Sequence, residues 1–248
     1  MKVENVKPYA TQECKSVQIT RAFDVIAPTY DRLNLILSLG MDRLWRKWAL
    51  SNIVSKNHLS LLDVATGTAD FAILAAKARP DAQITGIDLS TKMLAIGRAK
   101  IKRAKLATRI SLQTGDALSL PYPDQNFDVI TCAFGARNFE HLDTGFRELR
   151  RVLKSGGQLI ILELATPPRR FLSGLLLFYL RYILPKIGGI LTGYTREYQY
   201  LPQSIQQVPQ GDAMLALLRN AGFGDCRMQA YTLGVCICYI AFTSKGKN

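Results

Sequence analysis

The stretch that decides the fold is Leu61-Leu62-Asp63-Val64-Ala65-Thr66-Gly67-Thr68-Ala69-Asp70. Its first four residues predict a buried strand, and Gly67 predicts a tight turn that opens a helix near Asp70. A strand that ends in glycine at a helix N-terminus exposes free backbone N–H groups and lets a ligand approach the main chain closely. Such turns bind nucleotide-like cofactors at the carboxyl edge of a parallel sheet, although an ordinary strand–helix connection has a similar composition.

An acidic residue at the end of the next predicted strand strengthens this interpretation. The strand covers residues 83–88 and ends in Asp88, which follows Gly67 by 21 residues. An acid at this position can accept hydrogen bonds from a ribose diol, in sites for NAD and also in sites for S-adenosylmethionine. The dinucleotide fingerprint needs three glycines, whereas this turn has only Gly67. S-adenosylmethionine has no pyrophosphate to bind, so we predict the methyl donor.

Length and composition indicate one α/β domain. The chain has 248 residues, 48% hydrophobic and 21% charged, which is typical of a globular protein with a sizeable core. Residues 1–15 are polar, so we expect no secretory signal. Five scattered cysteines without a C-x-x-C motif predict reduced, mostly buried thiols in a cytoplasmic protein. The two histidines are far apart in sequence, so we predict no histidine-based metal site.

The formal net charge of +13 leaves three interpretations open. A positive field of this size attracts nucleic acid or an anionic membrane surface. The same charge also fits a basic surface that only keeps the protein in solution. Charge alone does not choose among them.

The chain divides into three regions by composition and periodicity. Residues 1–18 are polar and predict a flexible arm, and residues 19–58 carry helical spacing and predict an N-terminal helical cap. From residue 61 to 164 the period alternates between strand and helix, which is typical of a parallel sheet with helices on both faces. We expect one helix to end at Gly156-Gly157 as a glycine cap, and two final strands within residues 225–243.

Two sets of motifs resemble known methyltransferases. The first resembles the successive motifs of class I methyltransferases: Asp63-x-x-x-Gly67, Asp88, Gly115-Asp116-Ala117, Pro121-x-x-Asp124-x-x-Phe127-Asp128 and Arg151-Val152-Leu153-Lys154-x-Gly156-Gly157. The second resembles the ubiquinone/menaquinone C-methyltransferases over residues 20–240: Tyr30-Asp31-x-x-Asn34, Leu44-Trp45-Arg46, Ala133-Phe134-Gly135-Ala136-Arg137-Asn138, Tyr198-x-Tyr200-Leu201-x-x-Ser204-Ile205 and Ala221-Gly222-Phe223.

The resemblance implies a Rossmann-like α/β fold, with a mostly parallel seven-stranded sheet and an antiparallel C-terminal strand. It implies a methyltransferase domain at 59–248, with a substrate-lid insertion at 166–210. The implied reaction is C-methylation of demethylmenaquinol to menaquinol by S-adenosylmethionine, with a benzoquinol of ubiquinone biosynthesis as the alternative. The residues implied to bind the cofactor are Asp63, Gly67, Thr68, Asp88, Leu89, Met93, Asp116, Ala117 and Ala133.

The chemistry of methylating a ring carbon suggests roles for residues near the fourth strand. The ring is a poor nucleophile until a neighbouring hydroxyl loses its proton, so the enzyme must stabilise a phenolate and later accept a ring proton. We predict that Arg137 stabilises the anion and that Asn138 orients the oxygen or a water, since an arginine is a poor base. His141 is an alternative proton acceptor. Tyr30, Tyr200 and Arg137 are the predicted substrate-binding residues.

Two departures from the family pattern concern Ala69 and Tyr239. Ala69 stands where the family usually has a glycine, and alanine tolerates a positive φ poorly. Tyr239 stands where many relatives carry a histidine, which puts any role of a C-terminal histidine in doubt. A nucleic-acid methyltransferase and a non-catalytic cofactor-binding protein remain alternatives. Phe134 and Gly135, which follow the fourth strand, match no catalytic motif of nucleic-acid enzymes, so we expect no nucleic-acid partner.

The stretch 171–191 is strongly apolar but is interrupted by Arg181, Pro185 and Lys186. A spanning helix needs about 20 apolar residues with few charges, so we do not predict one. The stretch fits a buried lid helix, or a membrane-facing element: a wall for a polyprenyl tail, or an interfacial helix that dips into a bilayer with its basic flanks on lipid headgroups. We favour the second interpretation, and expect a cytoplasmic protein peripheral to the inner membrane face, with a possible homodimer.

Overall fold

The structure is a computed structural model and describes residues 3–54, 56–183, 186 and 196–244. Its centre is a sheet of seven strands: β1 Ser60–Val64, β2 Gln83–Asp88, β3 Ile110–Thr114, β4 Phe127–Ala133, β5 Leu153–Leu164, β6 Cys226–Tyr231 and β7 Cys236–Phe242. The strand order is β3-β2-β1-β4-β5-β7-β6. The first five strands are parallel, and β7 runs antiparallel to both β5 and β6. The predicted fold class is confirmed.

Helices cover both faces of this sheet. They are α1 Lys15–Ile26, α2 Tyr30–Leu37, α3 Met41–Leu50, α4 Asp70–Ala78, α5 Thr91–Arg103, α6 Leu142–Val152, α7 Arg170–Phe178, α8 Arg196–Gln207 and α9 Asp212–Asn220. A 3-10 turn at Ala136–Asn138 follows β4, and a π-helical turn at Tyr179–Ile183 follows α7. The predicted apolar stretch and lid fall partly on residues 184–185 and 187–195, which lie outside the described residues.

Two hydrophobic cores lie on opposite faces of the sheet, because neighbouring strand residues point to opposite sides. Leu62 of β1 and Ile130 of β4 pack with α6 and α9, whereas Leu61 packs with α3 and α4 on the other face. The near-continuous apolar strands are those expected of a parallel sheet buried on both sides. Four of the five cysteines are buried and Cys14 is exposed, so the prediction that most are packing residues is confirmed.

The predicted glycine cap after the sixth helix is wrong. Helix α6 ends at Val152, and residues 153–157 already belong to β5. The pairing of β4 with β5 jumps from Leu153 to Gln158, so the two glycines lie in an irregular segment of the strand. The N–H of Gly157 donates to Thr243 Oγ1 at 2.9 Å, and a Cβ at Gly157 would meet the Lys154 carbonyl at 2.8 Å. Close backbone packing, rather than helix capping, therefore requires this glycine.

The N-terminal segment packs against the body of the protein, whereas the sequence predicted a flexible arm over residues 1–18. Val3 and Val6 are buried, and α1 already begins at Lys15. The Lys15 side chain is fully buried, and its Nζ donates to the backbone carbonyls of Val3, Arg137 and Phe139 at 2.8–3.2 Å. Burial lowers the pKa of Lys15 to about 8. The polar composition of this segment therefore reflects tertiary hydrogen bonds rather than disorder.

Candidate active site

A cleft of about 770 Å³ opens at the carboxyl ends of β1, β2 and β4, where parallel α/β sheets bind their ligands. Its floor is formed by the glycine turn and by the ends of β2 and β4, and its roof by α1. Seven of the predicted cofactor-binding residues line the cleft: Gly67, Asp88, Leu89, Met93, Asp116, Ala117 and Ala133. The sequence motifs thus converge on one surface, as their positions at neighbouring strand ends predict.

Asp88 is the carboxylate at the centre of this cleft. Its Oδ2 accepts the N–H of Gly67 at 2.8 Å, and its Oδ1 accepts the N–H of Ser90 at 2.9 Å. Burial raises the pKa of Asp88, and these two hydrogen bonds act in the opposite direction. Each oxygen has further acceptor capacity beyond its backbone partner, which suits a pair of hydroxyl groups.

The glycine turn has the strained backbone that the sequence suggested. Gly67 has φ +56°, and nothing lies within 4 Å of the position that a Cβ would take there, so the turn leaves room for a ligand at the main chain. Ala69 has φ +65° and is fully buried at the start of α4. Gly97 of α5 faces it, since a Cβ at Gly97 would lie 3.2 Å from the Ala69 Cβ. The missing side chain at Gly97 makes room for the methyl group of Ala69.

Two predicted cofactor residues, Asp63 and Thr68, lie outside the wall of the cleft. Asp63 is buried beneath the turn, where its carboxylate accepts the hydroxyls of Thr66 and Thr131 at 2.6 and 2.7 Å. Burial raises the pKa of Asp63 to about 6, against the effect of these hydroxyls. This residue therefore ties the turn to β4, and with Thr68 it lines a smaller pocket beside the turn.

The Thr68 hydroxyl takes part in a clasp between the helical cap and the turn. It donates to Asp31 Oδ1 at 2.6 Å, and Lys100 Nζ lies 2.7 Å from Asp31 Oδ2. Lys100 also pairs with Asp70, the first residue of α4. These charges join α2, α4 and α5, so Asp31 of the Tyr30-Asp31-x-x-Asn34 motif holds the cap over the turn.

A second cavity of about 750 Å³ adjoins the cleft, and Tyr30 and Phe134 line both. Its wall is mostly apolar, with contributions from α2, α3, α8 and the segment at residues 164–179. The polar groups in this wall include Arg137, Arg46 and Asn34. The cleft, whose wall includes the carboxylates Asp88, Asp116 and Glu140, and the more apolar chamber therefore meet at Tyr30 and Phe134.

Arg137 and Asn138 are consecutive residues of the 3-10 turn but border different cavities. Arg137 lines the apolar chamber, and its Nη1 lies 2.6 Å from Glu163 Oε1 and donates to the Phe134 carbonyl at 2.6 Å. Burial acts to lower the pKa of Arg137, but the charge and hydrogen bond of Glu163, together with the phenols of Tyr200 and Tyr30, outweigh this effect and raise it. The cation that the sequence predicted is thus present and is compensated by a buried carboxylate.

Asn138 lines the cleft, and its Oδ1 accepts the hydroxyl of Tyr200 at 3.1 Å. Tyr200 itself is buried and, in the part of the chain that the structure describes, lies outside the walls of both cavities. It therefore orients Asn138, whereas Tyr30 is the predicted tyrosine that reaches both cavities. Burial raises the pKa of both tyrosines, so both hydroxyls remain protonated at neutral pH.

Helix α1, which covers the start of the predicted cap, forms a roof over the cleft through residues that were not among the predicted site residues. Ser16, Ile19, Thr20 and Phe23 line the cleft from above, together with Glu140 from the loop after β4. The Glu140 carboxylate accepts the N–H groups of Lys15 and Ser16 at 3.2 and 3.3 Å and so caps α1. The spacing of Ile19, Phe23 and Ile26 on one helix face is the signal that could have revealed this packing.

His141 and Tyr239 have no place in the walls of these two cavities. His141 is exposed at the start of α6. Tyr239 is buried in the core, and its hydroxyl accepts the N–H of Gly211 at 2.9 Å. A tyrosine at this position thus supports the start of α9.

Comparison with known proteins agrees with this geometry. The model of the ubiE/COQ5 methyltransferase family matches residues 11–243. The chain belongs to the ubiE/COQ5 methyltransferase family. It is 43% identical over 238 residues to a protein of Bacteroides fragilis named demethylmenaquinone methyltransferase, covering 96% of this chain and 97% of the relative. As a member of this family, the protein is an enzyme that transfers methyl groups.

Two further comparisons show the range of similar proteins. A ubiquinone/menaquinone biosynthesis C-methyltransferase of Geotalea daltonii is 40% identical over 226 residues, covering 91% of this chain and 96% of that protein. The crystal structure of the [4+2]-cyclase SpnF superposes with a TM-score of 0.69 at 20% identity, covering 93% of this chain and 97% of that one. The second similarity shows the fold alone, since one fold supports different reactions.

Proposed function

We propose that this methyltransferase transfers a methyl group from S-adenosylmethionine to a ring carbon of demethylmenaquinol, giving menaquinol. The observation that carries the proposal is the pair of adjoining cavities that share Tyr30 and Phe134, a cleft with Asp88 and Asp116 in its wall and a more apolar chamber. A methyl donor with a ribose suits the cleft around Asp88, and a ring with an isoprenoid tail suits the apolar chamber beside Arg137. The name of the Bacteroides fragilis relative supports the naphthoquinol ring.

The residues of the cleft fit S-adenosylmethionine. Asp88 would hold the two ribose hydroxyls, Gly67 would allow close approach to the main chain, and Asp116 would lie near the adenine amino group. The apolar side chains of Leu89 and Met93, with Ala117 and Ala133, would complete the wall. Asp63 and Thr68 would support this surface from below. When bound, the cofactor supplies an activated methyl group on a sulfonium sulfur.

Arg137 and Asn138 carry the chemistry at the junction of the cavities. A quinol ring carbon becomes nucleophilic when the adjacent hydroxyl gives up its proton to water, and a guanidinium stabilises the resulting phenolate. Arg137 stays protonated at any working pH, so it acts as the anion's partner and does not act as the base. Asn138, held by Tyr200, would orient the oxygen or a proton-carrying water. Tyr30 would pack against the ring.

The ring preference is tested by transfer from labelled S-adenosylmethionine to short-chain demethylated naphthoquinol and benzoquinol. The proposal predicts product on the naphthoquinol at a higher kcat/KM. The Geotalea daltonii relative is named for both pathways, so preference for the benzoquinol would move this protein to ubiquinone biosynthesis. Tight cofactor binding without product on either ring would refute the proposal, and transfer to nucleic acid would replace it.

We also propose that the enzyme works at the cytoplasmic face of the inner membrane, where a polyprenyl quinol resides. Among the described residues no helix is long and apolar enough to cross a bilayer. Helix α7 nevertheless exposes Phe171, Leu175 and Phe178, at 80%, 59% and 54% of their surfaces. Exposed Arg169 precedes these apolar side chains and exposed Lys186 follows them, which suits insertion at an anionic lipid surface.

Vesicle sedimentation tests this second proposal. The wild-type protein should sediment with phosphatidylglycerol vesicles more than with phosphatidylcholine vesicles, and the Phe171→Ser/Phe178→Ser variant should lose about tenfold in affinity. Val54→Ser serves as the control, because Val54 is also exposed (36%) but precedes β1 at the amino ends of the parallel strands, whereas α7 follows the carboxyl end of β5. Equal sedimentation of both variants and the wild type would contradict the placement of α7 in the membrane surface.

A further inference from the structure

Arg46 is a buried cation in the wall of the apolar chamber. It lies on α3 with only 7% of its surface exposed, and it pairs with Asp42 one turn earlier. Its guanidinium lies over the Phe134 ring, with Cζ 5.2 Å from the ring centroid. It lines the apolar chamber and also a smaller pocket of about 330 Å³ beside the glycine turn. The residue thus borders both the chamber and this smaller pocket.

One donor of Arg46 remains unpartnered. Its Nε is buried and makes no hydrogen bond to any residue that the structure describes. A buried N–H without a partner is costly, so such a group calls for a ligand or another reason. An arginine serving only to neutralise Asp42 would not need to border a chamber of this size.

Arg137 repeats the same arrangement across the chamber wall. Its Nε is also buried and unpartnered among the described residues, and it too lines the chamber. Each arginine has one buried carboxylate as counter-ion, Asp42 for Arg46 and Glu163 for Arg137. The charges of both guanidiniums act on the phenol of Tyr30, although burial dominates and raises its pKa. Both guanidiniums therefore lie near the tyrosine that joins the cavities.

A quinol ring carries two oxygens on opposite sides, and the chamber offers two arginine donors in an otherwise mostly apolar wall. We propose that Arg46 binds the ring oxygen remote from the methylated carbon, while Arg137 binds the oxygen next to it. The inference rests on the proposed function, because it assigns a second contact to the same substrate. Arg46 is then a substrate-positioning residue, which holds the ring against Phe134 so that one edge of the ring faces the cleft.

The binding test uses the fluorescence of Trp45, which lines the chamber beside Arg46. Short-chain demethylated naphthoquinol is titrated anaerobically without S-adenosylmethionine, and so is the naphthol that lacks the remote hydroxyl. Arg46→Gln should weaken quinol binding about 10- to 100-fold, the effect of a hydrogen bond to a charged group, and should change naphthol binding less than threefold. Arg43→Gln is the matched control, because Arg43 is exposed on the same helix.

A second variant distinguishes a loss of substrate contact from a loss of stability. Arg46→Gln leaves Asp42 buried without its partner, so Asp42→Asn/Arg46→Gln removes both charges and should recover the melting temperature without recovering quinol affinity. Equal loss of quinol and naphthol binding, or recovery of quinol affinity in the double variant, would overturn the inference, as would a wild-type protein that binds no quinol. Turnover is scored separately: quinol binding that depends on Arg46 without methyl transfer would refute the proposed reaction and leave the Arg46 contact standing.

Discussion

The buried pair of Arg137 and Glu163 allows a prediction in which stability and catalysis separate. Glu163 accepts from Arg137 Nη1 at 2.6 Å and from the Arg137 backbone N–H at 3.2 Å, and 2% of its side chain is exposed. The Glu163→Gln variant keeps the shape of the side chain but removes the charge. Arg137 would then be a buried cation without a counter-ion, the situation in which breaking an ion pair is most costly.

The expected cost is about 3–5 kcal/mol of unfolding free energy, the range for breaking a buried pair from one side. For a chain of this size each kcal/mol lowers the melting temperature by about 2–4 °C, so we expect a decrease of about 6–20 °C. The assay is thermal unfolding followed by circular dichroism and calorimetry. Asp143→Asn is the control, since it breaks the exposed pair with Arg147 and should cost less than about 1 kcal/mol.

A double variant completes the test. Arg137→Met/Glu163→Leu removes both charges, so it should recover most of the lost stability, because well-packed apolar residues can replace a buried pair. It should have no methyl-transfer activity, since it lacks the guanidinium that stabilises the phenolate. A Glu163→Gln protein within about 1 kcal/mol of the wild type would refute the claim that this pair is buried and coupled. A double variant less stable than Glu163→Gln would refute it as well.

Three further predictions concern the turn and the roof of the cleft. Because Ala69 has a left-handed backbone, glycine relieves strain at this position, and Ala69→Gly should be about 1–2 kcal/mol more stable than Ala72→Gly. The Ala72→Gly control removes a buried methyl group from a right-handed position of the same helix. Equal urea midpoints for the two variants would contradict this prediction. Burial raises the pKa of Asp63 to about 6 in the folded protein, above its value of about 4 in the unfolded chain. The contribution of this carboxyl group to stability is therefore full below about pH 4 and is lost as the pH rises through 6. The unfolding free energy of the wild type should therefore decline by about 3 kcal/mol over this range, and that of Asp63→Asn should not. Parallel curves of unfolding free energy against pH for the wild type and the variant would contradict this prediction. Lys15→Met should cost about 2–3 kcal/mol and lower kcat, since three carbonyls around the catalytic turn lose their donor; an unchanged melting temperature would argue against this role.

The sheet and the cofactor cleft followed from local patterns in the sequence. The apolar run at Leu61–Val64, the glycine turn and the acid at Asp88 are separated by fixed short distances, and a parallel sheet brings the ends of its strands to one edge. For this reason seven of the nine predicted cofactor residues line one cleft. The positions of β1 and β2 also followed, whereas the first five residues of β5 were expected in a helix and its glycine cap.

Side-chain direction and long-range pairing did not follow from the sequence. Asp63 and Thr68 belong to the same motif as Gly67, but their side chains hydrogen-bond to Thr131 and Asp31 and do not line the cleft. The roof over the cleft depends on contacts between residues more than 120 positions apart, such as Lys15 with the turn at Arg137. Composition shows that Lys15 is polar, and only the tertiary structure shows three carbonyls arranged around it.

The central claim is that Arg137 stabilises the quinol oxygen during methyl transfer. The most direct measurement is single-turnover transfer from labelled S-adenosylmethionine to short-chain demethylated naphthoquinol by the wild type and by Arg137→Ala, with cofactor binding measured alongside. We expect the transfer rate of Arg137→Ala to fall at least 100-fold while its Kd for the cofactor changes less than threefold, because Arg137 borders the chamber and the cofactor would occupy the cleft. An Arg137→Ala enzyme that transfers the methyl group at the wild-type rate would contradict the claim.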